Sequence, residues 1–101
     1  MATMEEVLAK YEKDLERFKV EFTNEFVARV KQKTPVDTGK LQNGWEGSIK
    51  HDAIEVTNSV EYASYVEFGT EKERPVGMLR TTELEAQQIT DEAMKKVKGG
   101  A

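Results

Sequence analysis

The chain has no cysteine, one histidine, one tryptophan and two prolines. Without thiols it forms neither disulfides nor thiolate metal sites, and cysteine usage gives no sign of a redox compartment. It also lacks an excess of positive charge. Fifteen lysines and arginines against nineteen acids leave a net charge of -4 and a pI near 5.1. A nucleic-acid-binding module needs a basic face dense enough to displace counterions from phosphates, so sequence-specific DNA binding is not expected. No apolar run approaches the ~20 residues of a membrane span, and the acidic N-terminus is unlike a signal peptide, which predicts synthesis and assembly in the cytoplasm and no membrane partner. There is no glycine-rich phosphate loop, metal-ligand cluster or Ser/His/Asp set. His51 falls at a turn beside a single acid, Asp52, and reads as solvated. Glu71 and Glu73 lie in a flexible stretch that cannot hold a catalytic geometry. The expectation is a non-enzymatic protein with no cofactor and no metal.

What is present is a lean mixture, 38% hydrophobic against 34% charged in 101 residues. One domain of this size buries about two-thirds of its unfolded surface, so the core is thin and neighbouring subunits are expected to complete it. Met4, Leu8, Tyr11, Leu15, Phe18, Phe22 and Phe26 step by three and four, with Val7, Val27 and Val30 widening the stripe, and predict one amphipathic helix over residues 4–33. Thr3 and Glu6 form a candidate capping box, and Glu25 with Arg29 is spaced for a surface pair. At ~1.5 Å per residue the helix is roughly 44 Å long, and it outreaches a body of about 13 Å radius of gyration. Phe18, Phe22 and Phe26 are assigned to the core. The N-terminal part of the stripe either faces another subunit or belongs to the core and frays.

The helix stops at Thr34-Pro-Val-Asp-Thr-Gly-Lys-Leu41, because Pro35 disfavours α geometry at Thr34. Asp37 caps a short turn through Thr38 and Gly39, Leu41 points inward, and Gly39 is assigned to close backbone packing. Residues 45–50 and 53–58 read as a hairpin that turns at His51-Asp52. Trp45, Gly47, Ile49, Ile54 and Val56 share one face. A two-stranded sheet alone is marginal, so strand addition from a neighbour on an open edge is expected. A third strand at 74–78 is permitted only at an edge, since it contains Pro75. Trp45 reads equally as core or as an interface anchor. The second motif, Tyr62-Ala-Ser-Tyr-Val-Glu-Phe-Gly-Thr70, begins as a helical turn and ends at Gly69, the residue suited to a left-handed C-cap. Residues 70–77 read as an exposed loop. Leu79, Thr82, Ala86, Ile89, Ala93 and Val97 predict a last helix over 79–97, before a flexible tail at 98–101. The fold class is α+β, with long N-terminal and C-terminal helices on a small antiparallel sheet.

The two motifs in this order and spacing resemble the small neck proteins of tailed bacteriophages and prophages, known as tail-completion or head-to-tail joining proteins. The resemblance covers residues 34–80. It departs from the family pattern after Thr70, where Arg74-Pro75-Val76-Gly77 lacks the usual phenylalanine. It implies a homo-oligomeric ring, a hexamer or else a dodecamer, in the virion neck. The ring would join the tail-tube or terminator protein to the head connector, and DNA would pass through its lumen without sequence-specific binding. Interface and scaffold candidates are Asp37, Thr38, Gly39, Leu41, Trp45, Tyr62, Tyr65, Glu67, Phe68, Gly69 and Thr70. A loop at 70–77 that reaches the lumen or an adjoining ring is the counterpart of its reading as a solvated face. Periodicity alone also allows a non-viral or regulatory adaptor that presents its amphipathic helix to a partner groove.

Overall fold

The computed structural model describes residues 3–36, 39–51, 53–72 and 74–99. Helix α1 (Met4–Lys33) is followed by a short α2 (Lys40–Asn43), strands β1 (Trp45–Lys50) and β2 (Ala53–Asn58), and helices α3 (Ala63–Phe68), α4 (Met78–Glu83) and α5 (Ala86–Gly99). This is the α+β architecture that the sequence predicts. The capping hydroxyl of Thr3 accepts from the Glu6 amide at 3.1 Å, and Glu5 and Glu6 sit at the positive end of the α1 dipole. At the other end Thr34 is extended, with ψ 127°, as a residue before proline must be.

The core lies over the second half of α1. Phe26, Val30, Leu41, Trp45, Met78 and Ile89 form one buried cluster, with Phe22, Val27, Val56, Val60, Ala63, Val66 and Leu79 packed around it. The radius of gyration is 17.0 Å and the long dimension 65 Å. A compact chain of this length has a radius of about 13 Å, so α1 does project beyond the body.

The hairpin pairs Trp45 with Asn58, Gly47 with Val56 and Ile49 with Ile54, placing the predicted set on one face. That face packs on α1 so closely that a Cβ on Gly47 would stand 2.6 Å from Thr23 Cγ2 and 2.9 Å from Val27 Cγ2. Glycine is required there by proximity, not by backbone angle. His51 turns the hairpin with φ 53°, and its carbonyl accepts from the Lys19 ammonium at 3.5 Å.

Three expectations are corrected. Among the described residues the sheet has two strands, and 74–77 add none. The amides that a third strand would use are taken by α3: Val76 donates to the Val66 carbonyl at 2.8 Å and Gly77 to that of Glu67 at 3.1 Å. The last helix is divided into α4 and α5 by a turn at 84–85. The predicted stripe nonetheless faces inward, with Thr82, Ile89, Ala93 and Val97 buried and Leu84 thrown outward, 86% exposed. Finally, Gly69 is not in the left-handed helical region but at φ 80° and ψ 178°, an extended positive-φ conformation that is essentially glycine's alone.

Candidate interaction surface

Among the described residues, two apolar surfaces remain open. The first is the N-terminal half of α1, where Met4, Leu8, Tyr11 and Leu15 are all more than half exposed although they continue the line of Phe18, Phe22 and Phe26. The Phe18 and Phe22 rings lie 5.9 Å apart, and those of Phe22 and Phe26 6.1 Å apart. The α5 helix runs antiparallel beside this stripe, and its end is held by the Arg17 guanidinium, which donates to the carbonyls of Lys96 and Val97 at 3.4 and 3.5 Å. Between the two helices lies a groove of about 500 Å³ lined by Tyr11, Leu15, Phe18, Met94 and Val97, with Asp14 and Lys98 also in its lining. Residues 4–10 extend past the end of α5.

The second surface is α3. Ala63 and Val66 face the core, which leaves Tyr62, Tyr65 and Phe68 outside with Val76. What fixes it is Glu67, only 4% exposed. Its carboxylate accepts from the amides of Leu79 at 2.8 Å and Arg80 at 3.2 Å, so that one side chain caps α4 from α3, and the Arg80 guanidinium stands 3.7 Å away. With the two backbone bonds from Val76 and Gly77, this ties down the far end of the loop and holds Phe68 outward, 69% exposed.

These two surfaces are built on a fold whose first two-thirds matches a known family. The model described as "Bacteriophage HK97-gp10, putative tail-component" matches residues 1–69. The chain belongs to this HK97-gp10-like family of bacteriophage tail components. Membership is consistent with a structural role in a phage and with a place in the virion. No curated protein and no solved structure matches the chain. The matched segment of the HK97-gp10-like chain runs through α1 to Gly69 and takes in the first motif and all of the second except Thr70; α4 and α5 lie beyond it. No helix among the described residues is long and apolar enough to cross a membrane.

Of the candidate residues in this family member, Tyr62, Tyr65 and Phe68 are all exposed on α3 and at its start, and Thr70 follows them on the surface. Trp45 does not join them. It is buried, and its indole Nε1 donates to Thr34 Oγ1 at 2.8 Å, so it is core and not an anchor. Leu41 is buried in the same cluster. Gly39 has a left-handed φ of 77°, and among the described residues a Cβ there would meet Asn43 Nδ2 at an ordinary 3.6 Å, so backbone angle and not close packing calls for glycine. Asp37 and Thr38 lie outside the described residues.

The sequence reading missed the largest charged cluster. Arg29 donates to Glu25 at 2.9 Å, Glu85 at 2.7 Å and Gln88 at 3.0 Å, and pairs with Glu92 at 3.1 Å, while Lys33 also binds Glu85. The Glu25–Arg29 spacing announced one bond; Glu85, Gln88 and Glu92 are more than fifty residues away and left no local signal. The hydrogen bond from Arg29 holds the Glu25 carboxyl below its ordinary value, and those from Lys33 and then Arg29 do the same for Glu85. The three carboxylates in turn raise the Arg29 pKa. The cluster fixes the roll of α5 against α1 and therefore the shape of the groove.

Proposed function

We propose that this tail component is a tail-completion or head-to-tail joining protein that forms a ring, a hexamer in first order and a dodecamer as runner-up, in the phage neck. One observation carries the reading: a run of apolar side chains on α1 projects past the body and is left more than half exposed by the described residues. Burying each such side chain against a neighbour is worth about 1.5–3 kcal/mol before ordering costs, so several together favour assembly. The family supplies the setting, a phage tail. In it the ring contacts the tail-tube or terminator protein on one side and the head connector on the other. The net charge of -4 suits a channel through which DNA passes without sticking. The role is assembly, with no catalysis and no cofactor.

Native mass spectrometry of the purified chain, alone and with tail-tube or connector preparations, tests the proposal. A discrete ring of six or twelve copies that associates with one of those preparations is the expected result. A chain that stays monomeric under every condition, or binds only an unrelated helix-groove partner, overturns it and restores the adaptor reading.

A further inference from the structure

The register of the hairpin decides which of its backbone groups point outward. Lys50 and Ala53 close a two-residue turn and exchange hydrogen bonds, so the alternation along an antiparallel pair gives Ser48 with Glu55 and Glu46 with Thr57 the same role. The N–H and C=O groups of Ile54 and Val56 therefore point away from β1, toward the free edge of β2. Among the described residues no backbone hydrogen bond outside the ladder reaches either of them. Their side chains lie on the face that packs on α1, yet both are only half-buried, so this margin of the core is incompletely covered.

Beside that edge the surface is hollow. A pocket of about 280 Å³ is lined by Phe22, Phe26, Ile54, Val56, Leu79 and Glu83, and a second of about 180 Å³ has Trp45, Val56, Phe68 and Leu79 in its lining. The two share Val56 and Leu79 and so form one slot, with β2 on one side, α4 on the other and Phe22 and Phe26 as its floor. An open strand edge over an apolar floor selects its ligand by class. Only an extended backbone meets the alternating N–H and C=O groups of Ile54 and Val56, and its side chains opposite those two residues enter the slot while the one between them points to solvent beside Glu55. Because α4 bounds the far side, the slot takes one strand and not the edge of a second sheet. The edge of β1 is a poorer acceptor. Its hollow of about 310 Å³ is lined by the polar Thr23, Asn24 and Lys31 as well as by Val27, and Gly47 lies against α1 with no room for a methyl. Among the described residues the chain has no strand of its own to donate: β1 and β2 pair with each other, and the amides of Val76 and Gly77 are bound to α3.

We infer that β2 accepts an extended segment of a different protein as a third strand, its alternate apolar side chains seated between β2 and α4. The acceptor ends at Asn58, whose side chain is bound to the Leu41 carbonyl and the Val60 amide. From Ile54 to Asn58 the strand rises about 13 Å, so a segment of about five residues fills it. The contact holds whether or not copies of this chain form a ring.

The probe is the end-capped peptide Thr-Val-Lys-Val-Thr, titrated into the isotope-labelled full-length chain and followed by NMR. The amide resonances of Ile54 and Val56 are expected to shift and to gain protection from exchange. N-methylation of both valines removes the peptide's donors to β2 while keeping its apolar surface, and is expected to weaken binding by about tenfold or more. Since the change is made in the peptide, the fold of the chain is untouched. Shifts at Gly47 and Ile49 instead assign the acceptor to β1, binding indifferent to N-methylation is adhesion of side chains, and no binding up to the solubility of the peptide means no acceptor edge. Each of these three results overturns the inference.

Discussion

The indole of Trp45 and the hydroxyl of Thr34 form a buried hydrogen bond of 2.8 Å, and the same hydroxyl donates to the Val30 carbonyl at 2.7 Å. The residue that ends α1 thus also seats the first side chain of the hairpin, which makes the threonine of the first motif a junction between two elements.

Replacing Thr34 with valine keeps the shape but leaves the indole N–H unsatisfied, at a cost of about 1–3 kcal/mol. Thermal unfolding should fall by roughly 4–8 °C per kcal/mol for a domain of this size. Thr34→Ser, which retains the acceptor, should recover most of the loss. An unchanged melting temperature in Thr34→Val would show that the bond does not contribute.

Glu67→Ala removes the cap that joins α3 to α4, and a loss of about 1–3 kcal/mol is expected, since a charge-assisted bond to two amides is involved. Amide hydrogen exchange gives a local readout. The Leu79 and Arg80 amides should exchange faster, while those of α1 near Phe22 change little. Glu67→Gln, with one carbonyl acceptor left, should fall between.

Acid sensitivity should come from the Arg29 cluster. The carboxyls of Glu25 and Glu85 are held below the ordinary value of 4.5, so their contribution is present above that pH and is lost as pH falls through their lowered folded values. Melting temperatures measured from pH 6 downward should therefore decline below about 4.5. In Arg29→Met that decline should be shallower, because Glu25 loses its main partner while Glu85 keeps Lys33. Parallel curves for the two proteins would rule the cluster out as the cause.

Two glycines should resist even alanine, for different reasons. At Gly47 the added methyl meets α1 below 3 Å and should cost about 1–3 kcal/mol by overpacking. At Gly69 the penalty is conformational and of similar size, about 1–3 kcal/mol. Pairing Gly47→Ala with Thr23→Ser, which removes the nearer methyl but leaves that of Val27, should recover part of the loss in the first case; no neighbouring change should rescue the second. Urea unfolding of the single and double variants separates the two.

Local signals made much of this fold readable. The α1 stripe, the Thr3 cap and the two faces of the hairpin all follow from spacing within a few residues, and the structure has each of them. Gly69 was identifiable as a special position, although only the structure shows that its ψ is extended and not helical. What escaped depends on partners remote in sequence. Trp45 as core needed Thr34, the role of Glu67 needed the amides of 79 and 80, and the Arg29 cluster needed α5. The loop at 74–77 misled for the same reason, since its free amides find α3 and not a strand. Of the candidate surface, the tyrosines and Phe68 were visible as motif residues, whereas their outward aim is set by the fold-back that Glu67 anchors.

The projecting turns of α1 behave as a cantilever. From Arg17, where the end of α5 is held, the helix runs about 20 Å to Met4, so a bend of about 20° at that point carries Met4 through about 7 Å. Compliance of this kind is confined to one end, while the α3 face at the other is clamped by Glu67 and two backbone bonds. In the proposed ring, a springy tongue carried on a stiff body would absorb differences in angle from copy to copy without loosening the bodies themselves.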